Sequence, residues 1–215
     1  FSNSDPTRFL ANHPYLRPPI VLYAGTLGKI NGVSYMAEMA SSALKRNVRA
    51  SFLVVGTGAD EPAIRDRSER LGVLNRNFFM LPPLPKLEMP NVFAASDISL
   101  SLVIDLEALW ANSANKFFDS LAAGKPIAIN YGGWQAELLE GAQAGIRLPP
   151  KQPEQAIDLL TRYLSDTEWK AAAGINALRL AQEKFDRDIL ARELEAVLLR
   201  AVGRPVCSEG PMQNQ

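Results

Sequence analysis

Short apolar runs alternate with longer amphipathic segments along most of this sequence. Most runs are continuously apolar, as in strands buried on both faces, and the segments between them repeat their apolar residues every three to four positions, as helices do. The predicted strands are Ile20–Tyr23, Arg49–Val55, Asn77–Leu81, Asp97–Leu102, Ile127–Ile129 and Ile146–Leu148. The predicted helices are Val33–Arg46, Glu61–Leu71, Leu87–Ser96, Ala114–Ala123, Trp134–Glu140, Pro153–Leu164, Glu168–Phe185 and Asp188–Val202.

This order of elements indicates the fold class. Strands that are separated by helices pair in parallel, and a parallel sheet needs helices on both faces. We therefore predict an α/β, Rossmann-like domain over residues 20–202, ending in additional helices. Residues 1–19 are polar and contain prolines, which predicts a linker or lead-in, and residues 203–215 predict a disordered tail. Ligands of such sheets bind beyond the carboxyl ends of the strands.

One predicted helix, after the fourth strand, carries residues suited to a nucleotide. Ser113 is a favourable N-cap, so Ser113, Ala114 and Asn115 at the helix start present N–H groups to a phosphate. Lys116 adds a cation. Asp119 lies one turn further on, where its carboxylate can accept hydrogen bonds from a ribose diol. The same residues also suit an ordinary surface helix in which Asp119 pairs with Lys116.

Three loops add candidates at the same edge of the sheet. Glycines there allow a ligand to approach the backbone closely, and a lysine beside them supplies a positive charge. The glycine pair after the second strand lacks the third glycine of a dinucleotide fingerprint, which argues against a hydride-transfer enzyme. The candidates are Gly28, Lys29 and Asn31 after the first strand, Gly56 and Gly58 after the second, and Leu81 and Pro82 in the proline turn after the third.

The run from Asn115 to Pro126, with the sequence NKFFDSLAAGKP, resembles the second half of the nucleotide-sugar motif of retaining, GT-B-type group 1 glycosyltransferases. In that family a glutamate five residues before the glycine of the Ala-Gly-Lys-Pro turn holds the ribose, and Asp119 takes that place. The family's second glutamate, which contacts the donor sugar, corresponds to Ala111, and Glu107 lies one turn upstream. The motif is similar to that of bacterial amino-sugar transferases of surface polysaccharide and lipopolysaccharide synthesis.

The resemblance also implies roles for the loops. The family neutralises the departing diphosphate with two basic residues in the first loop, and here Thr26 and Asn31 occupy their positions. Lys29 is then the cation of that loop, and we assign phosphate contact to it. The equivalent proline turn presents backbone groups, here those of Leu81 and Pro82, to the base. The segment at residues 1–9 resembles the one that leads into the second half of these enzymes, which implies that an N-terminal, acceptor-binding domain precedes this one.

Composition narrows the range of partners. Lys and Arg together number 23, and Asp and Glu together also number 23, so the chain has no net charge. This balance argues against nucleic acid or a broad membrane surface as a partner. The single histidine, His13, argues against histidine-dependent metal chemistry, and we expect neither a metal nor another cofactor. The single cysteine, Cys207, and the lack of an apolar run long enough to span a membrane indicate a reducing, cytoplasmic location.

We therefore predict the donor-binding domain of a retaining glycosyltransferase of surface polysaccharide or lipopolysaccharide synthesis. A UDP-sugar is the favoured donor and a GDP-sugar the second, and the domain needs its own N-terminal domain for turnover. That domain would also provide any contact with the inner face of the membrane. Two alternatives stay open. A sugar-nucleotide 2-epimerase would need ionisable groups around the sugar, which Ala111 disfavours, and a degenerate, non-catalytic domain is favoured by Ala111, Thr26 and Asn31.

Overall fold

The computed structural model describes residues 4–203. Its strands are β1 (Ile20–Ala24), β2 (Ser51–Val55), β3 (Phe78–Leu81), β4 (Ile98–Ser101), β5 (Ile127–Ile129) and β6 (Gly145–Arg147). Its α-helices are α1 (Pro6–Asn12), α2 (Ser34–Lys45), α3 (Glu61–Arg70), α4 (Met89–Ala95), α5 (Asn115–Ala122), α6 (Trp134–Ala142), α7 (Pro153–Ser165), α8 (Thr167–Lys184) and α9 (Arg187–Ala201). Short 3₁₀ turns occur at Lys29–Asn31 and Glu107–Leu109.

The six strands form one parallel sheet in the order β3-β2-β1-β4-β5-β6. Both faces are buried, as a parallel sheet requires. Val21 and Tyr23 of the central strand β1 pack on the side of α2 and α7, whereas Ile20 and Leu22 pack on the side of α1 and α4. The predicted Rossmann-like sheet with helices on both faces and additional C-terminal helices is confirmed.

Within the predicted linker or lead-in, residues 6–12 form helix α1. The Asp5 carboxylate accepts the Thr7 N–H at 2.9 Å as an N-cap, and Pro6 occupies the first turn, where its missing N–H costs nothing. Phe9 is 6% exposed and packs among core residues that include Val92 of α4. The Asp-Pro pair is therefore a helix start, and the burial of Phe9 holds the helix against the domain.

The last two C-terminal helices begin at aspartate N-caps. Asp166 accepts the Trp169 N–H at 2.8 Å, and Asp186 accepts the N–H groups of Asp188 and Ile189 at 2.9 and 3.2 Å. None of the helices within residues 4–203 is long and apolar enough to cross a membrane. The predicted disordered tail starts at the last described residue, and the remainder of it, with Cys207, lies outside the described residues.

The ends of β1 and β2 approach each other too closely for a side chain. Gly56 has a φ of 151°, and a Cβ added there would lie 2.0 Å from the carbonyl oxygen of Gly25. A Cβ on Gly58 would lie 2.4 Å from the carbonyl oxygen of Leu27. The sequence predicted that these two glycines leave room for a ligand. In the structure they leave room for the backbone of the loop after β1, which packs directly against the loop after β2.

We expect Gly56→Ala to lower the free energy of unfolding by more than about 2 kcal/mol, because the new methyl group overlaps backbone that cannot rotate away. The control is Gly141→Ala, since a Cβ at Gly141 in α6 would have no atom within 4 Å. Alanine in an open helix position should raise the free energy of unfolding by about 0.5–1 kcal/mol. Urea denaturation of both variants measures the difference, and an equal response of the two variants would contradict the packing argument.

Candidate functional site

The strand order creates a crevice between β1 and β4. From these two neighbours the chain crosses over in opposite directions, to β2 and to β5, and such a switch point is where open parallel sheets bind ligands. The loop after β1 and the start of α5, which follows β4, therefore face each other. A hydrogen bond of 2.9 Å from the Ile104 N–H to the Ile30 carbonyl oxygen ties the two sides together.

A cleft of about 990 Å³ opens at the carboxyl ends of β1, β2 and β3. Its walls are the loops after these strands and helix α4, and Asp119 of α5 closes one side. The volume suits a small organic ligand, and most of the wall is apolar with a few charged groups. The lining residues are Ala24, Gly25, Thr26, Val55, Gly56, Thr57, Pro83, Leu84, Lys86, Leu87, Met89, Pro90, Asn91, Phe93 and Asp119.

Asp119 places a carboxylate at the edge of this cleft. Asp119 is exposed to solvent, but the protein around its carboxyl group excludes part of the water. This desolvation raises the pKa of the carboxyl group. The positive charge of Lys86, across the cleft, acts in the opposite direction and lowers it. The carboxylate lies beside an apolar pocket and is accessible from it, which is the arrangement that recognition of a diol requires.

Lys116 lies one turn before Asp119 on α5, and its side chain reaches the loop after β1. Its Nζ donates to Oδ1 of Asn31 at 3.3 Å and lies 5.4 Å from the centre of the Tyr23 ring. Its Cε lies 3.4 Å from the position that a Cβ on Gly25 would take. Desolvation by burial lowers the pKa of Lys116 from 10.5 to about 8. The amine is thus held at the junction of the two loops with most of its water removed.

The start of α5 differs in detail from the prediction. Ala114 is the N-cap, no side chain caps the helix, and Ser113 lies one residue earlier and exposed. The register is fixed by burial of Phe117, Ser120 and Leu121 on one face, so the helix starts one residue too late for the Ser113 hydroxyl to cap it. The predicted cap at Ser113 is therefore wrong, and the N–H groups of the first turn are left without a side-chain partner.

The loop after β1 separates its polar residues into two groups. Lys29 is exposed on the 3₁₀ turn, with Gly28 as the residue before that turn. Asn31 is 9% exposed, and its Nδ2 donates to the Thr26 carbonyl oxygen at 2.8 Å, an oxygen that also accepts the Tyr23 hydroxyl at 2.9 Å. Lys116 is therefore the cation that the structure brings into the crevice, whereas Lys29 lies at its rim.

The cleft wall contains residues that the sequence did not point to. Of the predicted candidates, Gly56 and Asp119 line the cleft. In the proline turn the lining residues are Pro83 and Leu84, two positions beyond the predicted pair, and the Leu81 carbonyl oxygen already accepts the Gly56 N–H at 3.1 Å. Gly25 and Lys86 were also missed. Two sequence signals could have identified them: Gly25 is the first glycine of the loop after β1, and Lys86 is the basic residue after the proline turn.

The loop after β4 carries the positions expected to contact a sugar. Ala111 and Glu107 are both exposed. Trp110 packs against Gly132 and Gly133, where a Cβ on Gly132 would lie 2.8 Å from the indole ring. No group of three or more potential metal-ligating side chains occurs within residues 4–203.

A family model for glycosyl transferases group 1 matches residues 18–166, more than half of the chain. The chain belongs to the group 1 glycosyltransferases. An uncharacterized glycosyltransferase of Methanocaldococcus jannaschii is 23% identical over 174 residues, which are 81% of this chain and 43% of the relative.

Solved structures of glycosyltransferases share the fold of this group 1 domain. HepE of Anabaena, solved in complex with UDP, has a TM-score of 0.77 and 16% identity, with coverage of 91% of this chain and 52% of HepE. WaaG, a glycosyltransferase involved in lipopolysaccharide biosynthesis, has a TM-score of 0.67 and 20% identity, with coverage of 90% and 50%. The fold is that of one half of a GT-B enzyme, and the chain spans about half the length of these proteins.

The buried amine of Lys116 predicts a stability cost. The pKa of Lys116 is about 8 in the folded protein, against an ordinary value of 10.5 for a solvated lysine. The unfolded chain therefore binds more protons between these pH values, and stability rises with pH there. At pH 7, Lys116→Met should raise the free energy of unfolding by about 1–3 kcal/mol, and the gain should shrink towards pH 10. Denaturation at several pH values measures it.

Lys45→Met is the matched control, since Lys45 is exposed on α2 and should change stability by less than about 0.5 kcal/mol. A Lys116→Met variant that is less stable than the parent at pH 7 would show that the amine stabilises the fold.

Proposed function

We propose that this chain is the donor-binding half of a retaining glycosyltransferase that moves a sugar from a nucleoside-diphosphate sugar to an acceptor hydroxyl. A UDP-sugar is the favoured donor and a GDP-sugar the second. The observation that best supports this proposal is the spatial order of three features. The apolar cleft, the Asp119 carboxylate and the Lys116 amine follow each other in the same order as the base, the ribose and the diphosphate of a nucleotide. The apolar cleft contains Asp119 at its edge, and Lys116 lies one turn towards the start of α5.

The two ends of the site divide the recognition of a nucleotide. Leu84, Met89 and Phe93 provide apolar wall for a base. Asp119 accepts hydrogen bonds from the ribose. Backbone contacts from Leu81 and Pro82 at the base, and from Gly28, Gly56 and Gly58 along the floor, belong to the proposal as predicted from the sequence.

The charged end performs the chemistry that the transfer requires. When the bond between the sugar and the diphosphate breaks, negative charge develops on the leaving oxygen, and fixed positive groups lower the energy of that state. Lys116, Lys29 at the rim and the uncapped N–H groups at Ala114 and Asn115 stabilise this charge. The acceptor hydroxyl attacks the same carbon and loses its proton, with the base supplied by the N-terminal half. No metal takes part in this scheme.

The place of the reaction in metabolism is also a proposal. HepE was solved with UDP and with UDP-glucose, and WaaG acts in lipopolysaccharide biosynthesis. We place this chain in surface polysaccharide or lipopolysaccharide synthesis in a bacterial cytoplasm, with its own N-terminal domain as partner and as the route to any membrane contact. The alternative of a non-catalytic nucleotide-binding domain is favoured by exposed Ala111, where the motif has an acidic residue.

Calorimetric titration of the 215-residue chain with UDP, GDP and ADP tests the site. We expect one nucleotide to bind at micromolar concentration, and Asp119→Ala to weaken it by about 1.5–3 kcal/mol, the range for a hydrogen bond to a charged group. Asp66→Ala is the control, because Asp66 is an exposed aspartate on α3 that pairs with Arg70. Equal affinities of the Asp119 and Asp66 variants would overturn the ribose assignment.

The pH dependence of binding tests the amine. The diphosphate of UDP keeps a nearly constant charge between pH 7 and 9, because the last phosphate pKa is about 6. In the folded protein without nucleotide, the pKa of Lys116 is about 8. UDP affinity should therefore fall as the pH rises above 8, because the ammonium group loses its proton. Lys116→Arg should bind with little change over this range, since guanidinium stays protonated. A pH-independent affinity in the parent chain would exclude Lys116 from the phosphate site.

A further inference from the structure

The ammonium group of Lys116 is held by a single side chain from the other side of the crevice. Within residues 4–203, Oδ1 of Asn31 is the hydrogen-bond acceptor that the structure gives to Nζ, at 3.3 Å. An ammonium has three N–H donors, so two remain for a ligand. Lys116 and Asn31 are 85 positions apart in the sequence, so the tertiary fold brings them together. Because the amine is buried, little water is available to replace this hydrogen bond.

The amide of Asn31 can lie in one orientation only. Its Nδ2 donates to the Thr26 carbonyl oxygen at 2.8 Å, which turns Oδ1 towards Lys116. A flipped amide would place an oxygen against the Thr26 oxygen and an NH₂ group against the ammonium, and both contacts are repulsive. The Thr26 oxygen is fixed in turn by the Tyr23 hydroxyl at 2.9 Å.

Neighbouring backbone confines the same two side chains. A Cβ on Gly28 would lie 3.3 Å from Nδ2 of Asn31, and a Cβ on Gly25 would lie 3.4 Å from Cε of Lys116. Both glycines therefore leave room for the contact. Asn31 is 9% exposed, so its amide is already withdrawn from bulk water before any ligand arrives. The pair is a preorganised unit, and little reorganisation is needed when an anion binds.

We propose that Asn31 is a positioning residue that fixes the Lys116 ammonium group beside Gly25 for the diphosphate of a nucleotide. This inference rests on the proposed function, because it names how the phosphate end of that same site is built. In this proposal Lys116 binds the phosphate and Asn31 does not contact it. The positive charge of the site thus comes from α5, and the loop after β1 supplies a neutral holder for it.

A double-mutant cycle separates positioning from a role in loop structure. UDP and uridine binding are measured by calorimetry for the parent chain, Asn31→Leu, Lys116→Met and the double variant. We expect Asn31→Leu to weaken UDP binding about fivefold and Lys116→Met at least about tenfold, as for a charged hydrogen-bond partner. The double variant should match Lys116→Met alone, because Asn31 has nothing left to position. Uridine affinity should be unchanged by Asn31→Leu.

The possible outcomes are distinct. If Asn31→Leu weakens UDP binding by the same factor with and without Lys116, or weakens uridine equally, Asn31 only shapes the loop and the inference fails. If the folded parent chain binds neither UDP nor uridine, the proposed function fails instead. Circular dichroism of each variant confirms that it is folded.

Asn31→Asp provides a second test if the leucine variant does not fold. The titratable groups around the amine are Tyr23 beneath it, Asp119 one turn further on α5 and Lys29 on the same turn as Asn31. A carboxylate at position 31 should stabilise the ammonium, so the midpoint of the fall in UDP affinity should move to higher pH than in the parent chain. An unchanged midpoint would show that residue 31 does not act on the amine.

Discussion

The adjacency of β1 and β4 in the sheet determines where this molecule can bind a ligand. Because the chain leaves these neighbours in opposite directions, no crossover covers the gap between their carboxyl ends. The loop after β1 and the start of α5 meet across that gap, and Lys116 contacts Asn31 there. Strands β2 and β3 extend the same edge to one side, where the apolar cleft opens, and Gly25 and Thr26 of the loop after β1 line that cleft.

Desolvation of the Lys116 amine is expected to cost stability at this junction. An amine whose pKa falls to about 8 is poorly solvated, and the Tyr23 ring and one amide oxygen replace only part of its hydration. A structural lysine in the same chain shows the contrast. Lys125 donates to the carbonyl oxygens of Ala94 and Ser96 at 3.1 and 2.8 Å, and thereby holds the end of α4. The under-coordinated amine, Lys116, is the one that lies at the junction between the loop after β1 and α5.

The arrangement also bears on how a domain with an altered motif could provide the phosphate site proposed above. Thr26 and Asn31 occupy the positions at which the resemblance implies basic residues. The Thr26 carbonyl oxygen and the Asn31 amide are engaged in holding the loop and the amine. In the proposed site the positive charge comes instead from Lys116, on a helix at the other side of the crevice. At the sugar end no such exchange is visible, since Ala111 and Glu107 both lie exposed on the surface of the loop after β4.

Local sequence determined the fold and pointed to both charged groups of the candidate site, Asp119 and Lys116. The order of buried runs and amphipathic segments specifies a parallel sheet, and the turn at Gly124, with a φ of 61°, ends α5 where the Ala-Gly-Lys-Pro sequence requires it. Asp119 could be found because its distance from that turn is a local property. Helix α1 and the uncapped start of α5 could not be fixed in this way, because burial of Phe9 and Phe117 in the tertiary structure determines them. Only the tertiary structure decided that Lys116, rather than Lys29, lies in the crevice, because solvation of an amine depends on contacts between segments distant in sequence.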